Sequence, residues 1–226
     1  LTEFSENFEE ALDLDEDEIE GGLTRDAKTL DETDFKDLHI RFVSNLKVRS
    51  TVPKVEISYF SNSNVEDAKG DILKFEDGEV KWDHAIPGHQ HPTDGIVFLH
   101  RIEDLRSKLG SNDNRKAITA AYSAGYGLRS IISRKLGVDS LDIQCSVTMS
   151  QRFVRLIVHD ADVGGAGLSH AVYQDLEDFL WETRASLDDC VCSGFCEQCL
   201  LLPRTPSYII EEGLLNRFDG LKFLSD

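Results

Sequence analysis

Four of the five cysteines fall within ten residues, in the run Cys190-Val191-Cys192-Ser193-Gly194-Phe195-Cys196-Glu197-Gln198-Cys199. Few arrangements tolerate such crowding. A tetrahedral zinc site does, because it needs four soft ligands converging about 2.3 Å from one ion. The Cys196–Cys199 step supplies two thiols from one tight turn, and Gly194 lets the chain reverse so that Cys190 and Cys192 face them. Metal binding deprotonates the thiols and orders a stretch too short to have its own core. Disulfides are the rival reading, although neighbours this close cannot all pair without strain; an iron–sulfur cluster is the third. Four thiolates leave no open position for water, so the zinc reads as structural. Cys145, inside an apolar stretch, reads as a small core residue.

Charge limits what such a centre can serve. The 226 residues carry 42 acids against 24 lysines and arginines, a net of −18, which argues against a protein that coats nucleic acid by bulk electrostatics. Residues 1–37 hold 15 of the acids, from Glu3 to Asp37, against Arg25, Lys28 and Lys36. Residues 1–34 therefore read as an acidic, flexible tail or linker. The lesser alternative is that they dock on a partner as an amphipathic helix, since Phe4, Phe8, Leu12 and Ile19 have near-helical spacing. No run approaches the roughly 18 apolar residues of a membrane span, and no charged-then-apolar leader is recognisable, which predicts a cytoplasmic protein. A start at Leu1 suggests a piece of something longer.

Hydrophobic periodicity predicts the elements. Leu38–Val43 and Lys54–Phe60 alternate apolar and polar side chains like half-buried strands, and Ile72–Trp82 reads as a hairpin turning at Asp77-Gly78. Gly95–Leu99 is a short apolar strand. A helix is predicted from about Arg115 to Leu136, capped by Asn112-Asp113-Asn114 and stopped by Gly137. Two strands follow, near Leu141–Met149 and Phe153–His159, turning at Ser150-Gln151. A second helix runs from a Ser169 cap to about Ser186, and a last one from Ser207 to Phe218. This order predicts an α+β or mixed α/β fold with an antiparallel-rich sheet, two long helices and a C-terminal four-cysteine knot. The expected division is a β-rich subdomain over 35–110 and a zinc-binding domain over 111–226.

Two other clusters invite chemistry. His84, His89 and His91 lie in a Pro/Gly loop without an acid or cysteine to complete a metal site, and read as solvated. His159-Asp160-Ala161-Asp162-Val163-Gly164-Gly165-Ala166-Gly167 ends a strand and opens a helix, where a phosphate can bind. It lacks the residues of a P-loop or a dinucleotide turn, so Gly164, Gly165 and Gly167 read as a structural turn of positive φ. Asp160 and Asp162 with His159 leave a metal-dependent nuclease as a minor alternative.

Taken together, strand, Asp-x-x-Gly-Gly-x-Gly, helix, cysteine knot and short helix resemble the zinc-binding C-terminal domain of superfamily-two DNA helicases, named after the repair helicase MrfA. The resemblance covers roughly residues 95–225. Cys199-Leu200-Leu201-Leu202-Pro203, followed by Leu214-Leu215-Asn216-Arg217, is similar to the ending of the DrmB subunit of the DISARM anti-phage system.

The resemblance implies a structural Zn2+ on Cys190, Cys192, Cys196 and Cys199, and a helicase subunit or domain as partner. No Walker lysine or D-E-x-H box is present, so the chain is expected to be an accessory module and not an enzyme, in antiviral defence or DNA repair. Its zinc-braced corner would present Arg184, Arg204, Arg217 and Lys222 to DNA phosphates or to the partner. Arg152 and Arg155, with Arg129, Arg134 and Lys135, form a second basic group. The alternative is a protein-docking module without direct DNA contact.

Overall fold

The computed structural model describes residues 28–49, 65–66, 72–73 and 90–225. Strands β1 (Lys28–Phe35) and β2 (Leu38–Arg49) form an antiparallel hairpin closed by Lys36 and Asp37. Alternation along β2 buries Leu38, Ile40 and Phe42 while His39 and Arg41 stay half-exposed, the period-two signature of a sheet with one face on a core. Two short strands, β3 (Val65–Glu66) and β4 (Ile72–Leu73), pair with each other. Three longer strands follow: β5 (Gln90–Arg101), β6 (Ile143–Met149) and β7 (Phe153–Asp160). β1, β2, β5, β7 and β6 make one sheet in that order, with β7 antiparallel to both β5 and β6.

Six helices complete the described residues: α1 (Ile102–Leu109), α2 (Asn114–Leu136), α3 (Leu168–Gln174), α4 (Leu176–Asp189), α5 (Ser207–Glu211) and α6 (Arg217–Phe223). α2 starts where the Asp113 carboxylate accepts from the Arg115 N–H at 2.9 Å, and it ends at Gly137 with φ 68°. Every residue from Thr119 to Arg129 is buried, so α2 is enclosed and not merely amphipathic. β6 and β7 lie against it on one side, α4 and α6 on the other. Small residues make this possible. Gly125 sits under Leu156 and Cys145, and a Cβ at Gly220 of α6 would come within 2.9 Å of the Ser123 side chain.

Side chains of the same helix cover part of the outer edge of β6. Arg129 donates from Nε to the Ile143 carbonyl at 2.8 Å and from Nη2 to the Ser140 carbonyl, just before the strand, at 2.6 Å. The Tyr122 hydroxyl lies beside the Val147 N–H. Another strand would meet these side chains first.

The architecture is the expected mixed α/β fold with an antiparallel sheet and a C-terminal four-cysteine cluster. Several expectations need correction. Residues 28–34, counted with the acidic tail, form β1, because Phe35 and the hairpin partner β2 draw them into the sheet. The chain divides into a unit containing residues 28–47 and 92–225 and a second unit over 48–91. The sheet thus ties residues 35–47 and 92–110 to the helices, and no separate β-rich subdomain spans 35–110. The helix expected from Ser169 to Ser186 breaks at Asp175, where φ is −116° and ψ 31°, although Val172, Leu176, Phe179, Leu180 and Thr183 keep one buried face. The helix expected over 207–218 is two short ones, separated by Gly213 at φ 61° and restarted by Asn216, whose Oδ1 accepts from the Phe218 and Asp219 N–H groups. The expected strand over 54–60 and most of the 72–82 hairpin lie outside the described residues.

Substituting Gly220→Ala tests the close approach of α6 to α2. Ser123's backbone carbon would lie 3.2 Å from the new Cβ and cannot rotate away. Overpacking of about 1–3 kcal/mol exceeds the roughly 1 kcal/mol that alanine gains in helix propensity. A net loss in denaturant midpoint is expected.

Candidate metal centre

The centre lies just past the end of α4. Cys190 is the C-cap residue of α4, with φ −69° and ψ 127°, so the chain leaves the helix extended and carries Cys192 away from the axis. It returns through Gly194, and the Cys196 carbonyl then accepts from the N–H groups of Cys199, Leu200 and Leu201 at 3.1, 3.0 and 2.9 Å. That turn aims Cys196 and Cys199 back at the first pair. Sγ separations are 3.5 Å for Cys190–Cys196, 3.7 Å for Cys192–Cys199 and 3.7 Å for Cys196–Cys199, and all four atoms lie within 4.8 Å of one another. Sulfurs at about 2.3 Å from a tetrahedral ion are about 3.8 Å apart, whereas a disulfide needs about 2.05 Å. The four-cysteine cluster is positioned to coordinate a structural zinc ion.

Burial and the neighbouring sulfurs push the Cys199 thiol far above its ordinary range. Only a cation's charge reverses that bias and makes the thiolate the stable form. Cys145 is not a fifth ligand. It lies in β6 beneath Gly125 of α2, and burial pushes its thiol up as well.

Arg217 joins the knuckle to the rest of the fold. It is 9% exposed, its Nε donates to the Cys192 carbonyl at 2.8 Å and its Nη1 to the Leu187 carbonyl at 2.9 Å. Its backbone N–H donates to the Gly194 carbonyl at 2.7 Å. One residue therefore holds the last turn of α4, the cysteine loop and the start of α6 together. The guanidinium also lies over the Phe218 ring, 3.9 Å from its centroid. Sequence reasoning missed this role, since an arginine at a helix start carries no mark of which way it points.

The glycine turn is a second constructed feature. Gly164, Gly165 and Gly167 have φ 83°, 80° and 81°, a conformation that side chains with a Cβ rarely adopt. The turn lets the chain double back so that Asp160, fully buried, reaches the start of α3. Its carboxylate accepts from the Leu168 N–H at 3.1 Å, the Ser169 N–H at 2.7 Å and the Ser169 hydroxyl. Asp160 thus does the capping that the sequence assigned to Ser169, which is buried one residue inside the helix. His159 faces away, its Nδ1 2.9 Å from the Asp160 carbonyl, and Asp162 is exposed. The three do not converge as a nuclease site would require.

Among the anticipated basic contacts, Arg155 is 1% exposed in β7, opposite Leu99 and Thr148, and burial removes it from any DNA-facing set. Arg217 and Arg129 are withdrawn for the same reason, each committed to backbone carbonyls. Lys135 bonds to Asp178 and Glu182 of α4. Arg184 is half-buried, stacked 5.0 Å from the Trp181 ring centroid and 3.5 Å from Ser225 Oγ. Lys222 is half-buried, and Arg204, Arg152 and Arg134 are exposed. His84 and His89 lie outside the described residues, as does the His91 side chain.

Residues 124–200 match the family described as the MrfA Zn-binding domain. The matched segment runs from the middle of α2 through β6, β7, α3 and α4 and takes in all four cysteines, so the chain carries a zinc-binding domain related to that of MrfA. Two solved structures are similar to the chain. One is the crystal structure of the DUF1998 helicase MrfA bound to DNA, at 12% identity and a TM-score of 0.49 over 88% of this chain and 24% of that one. The other is MrfA bound to DNA and AMPPNP, at 10% identity and a TM-score of 0.32 over 77% and 20% respectively. The chain therefore spans about a quarter of the helicase's length or less. No curated protein matches it.

Purified protein should carry one zinc per chain, and chelation or Cys196→Ser should release it and lower the melting temperature; elemental analysis and calorimetry check both. Arg217→Ala should cost about 3 kcal/mol, the loss of two hydrogen bonds from a charged donor, and should speed zinc transfer to a colorimetric chelator.

Proposed function

We propose that this chain is a non-motor accessory module that works beside a superfamily-two helicase in DNA handling, in anti-phage defence or DNA repair. The observation that carries this reading is the four-thiol centre at the junction of α4 and α6, inside the segment that matches the MrfA Zn-binding domain. The similarity of the closing segment to the DISARM subunit DrmB inclines the proposal towards defence. In this reading the metal makes a rigid corner of the end of α4 and the start of α6. The cations this reading offers to DNA are Arg184 on α4, Lys222 on α6 and Arg204 beyond the cysteines, with the exposed ring of Phe218 at the start of α6. Cations interleaved with aromatic faces suit a phosphate backbone with bases stacked beside it.

The module is proposed to act without a catalytic centre of its own, in the cytoplasm. Asp160, the carboxylate on which a nuclease reading depends, commits its oxygens to α3. Among the described residues no helix is long and apolar enough to cross a membrane.

A second reading, a protein-docking module with no DNA contact, is favoured by the net charge of −18 and by the inward turn of Arg129, Arg155 and Arg217. Fluorescence anisotropy with labelled single- and double-stranded DNA across a salt series separates the two. DNA handling predicts affinity that falls with log salt, at a slope of about −0.7 to −0.9 per phosphate neutralised. Arg184→Ala with Lys222→Ala should make that slope shallower by about one to two. Binding too weak to detect at low salt would leave the docking reading.

A further inference from the structure

We infer that the outer edge of β1, with the groove between it and α3–α4, is a docking site for an extended, lysine- and arginine-bearing segment of a partner protein. The five-stranded sheet ends in β1 on one side and β6 on the other. The β6 edge is covered in part by Arg129, bonded to the Ile143 carbonyl, and by Tyr122. Among the described residues no strand pairs with the outer side of β1, which is eight residues long and contains no proline. Phe35 and Leu38 close a two-residue turn, so the alternation of the ladder directs the backbone N–H and C=O groups of Glu32 and Asp34 outward. Consistent with this, the Glu32 N–H donates to the neighbouring Asp31 carboxylate at 2.9 Å instead of to β2. An edge left open in this way is a template for a further strand.

The groove beside this edge measures about 520 Å³. Its floor is aromatic. Trp181, 49% exposed, meets Phe35 edge-on with ring centroids 6.0 Å apart. Tyr173 stacks on Phe42 at 5.4 Å, and its hydroxyl oxygen is buried with no hydrogen-bond partner among the described residues. An added strand places alternate side chains on Trp181 and Tyr173, and those between them beside Glu32 and Asp34.

Charge selects the occupant. Asp31, Glu32, Asp34 and Glu177 border the groove and the edge, and Lys36, whose Nζ lies 5.2 Å from the Trp181 ring centroid, is the cation set against these four acids. The contacts of Glu32 with Arg41 at 3.8 Å and of Asp34 with His39 at 2.9 Å are at exposed carboxylates, worth little and readily shared. Residues 1–27 carry eleven acids against Arg25 alone, so this chain's own leading segment is repelled. A second copy would set β1 against β1, acid against acid. Polyanionic nucleic acid is excluded on the same ground. These charges fit a basic strand from another protein, and this site depends on neither the metal centre nor DNA contact.

The test uses the full chain and a fluorescein-labelled peptide of about nine residues alternating lysine and valine, with glutamate replacing lysine in the control. Anisotropy should show saturable binding of the lysine peptide and none of the control. Hydrogen exchange should slow at the Glu32 and Asp34 amides when the peptide binds. Asp34→Pro removes an outward N–H without breaking the β1–β2 ladder and should weaken binding at least about tenfold. The double change Glu32→Lys with Asp34→Lys should do the same. Unaltered melting curves would show that both variants remain folded. The proposal is overturned if the lysine peptide does not bind. It is equally overturned if both variants bind as the parent does, as they would if the peptide bound residues 1–27, or if the parent chain self-associates in sedimentation and Asp34→Pro abolishes that association.

Discussion

Four sulfurs held within 4.8 Å of one another repel as thiolates and, as thiols, leave poor hydrogen bonds in a half-buried loop. A divalent cation at their centre satisfies both demands. Everything downstream of α4 depends on that resolution. The loop from Cys190 to Cys199 has no hydrophobic core of its own, yet its carbonyls are what Arg217 grips, and Arg217 is the first residue of α6. α6 in turn covers the side of α2 that the sheet does not reach. Metal, loop, arginine and helix form a sequence of dependencies that ends in the main core.

The opposite end of the domain is organised without metal by a single buried carboxylate. Asp160 closes β7, and three glycines in the left-handed region return the chain so that the start of α3 falls on its oxygens. Arg217 and Asp160 are alike in physical effect, because each satisfies backbone donors or acceptors stranded at a helix end. The two sheet edges differ in this respect. α2 supplies Tyr122 and Arg129 to occupy β6, whereas β1 keeps its outer groups for Glu32, Asp34 and whatever lies beside them.

Much of this was legible in the amino-acid order. The cysteine spacing, the Asp113 cap, the Gly137 stop, the period-two stretch of β2 and the apolar stretches of β5, β6 and β7 are local signals, and the structure follows them. β1 was hidden because Asp31, Glu32 and Asp34 make it look like a solvated acidic segment, and only its pairing with β2 reveals it. α1 was hidden because eight residues with a mixed face give too few turns for a period. The breaks at Asp175 and Gly213 depend on where α4 and α6 must pass α2, which no window of sequence contains. At the centre itself, the ligands were readable from spacing. The inward direction of Arg217, Arg129 and Arg155 was not, since an arginine's reach is decided by which carbonyls fold to within it.

The junction between Ser123 and Asn216, where the Asn216 N–H donates to the serine hydroxyl across 93 residues of chain, sets an order of events during biosynthesis. α2 emerges from the ribosome long before the helix that encloses it. At translation speeds of about 5–20 residues per second, that interval is on the order of 5–20 s. Once β6 and β7 have followed it, a helix rich in alanine and glycine has its sheet but still lacks its far wall. That face stays uncovered until the cysteines and α6 have emerged, and the supply of metal at that moment decides how soon it is enclosed.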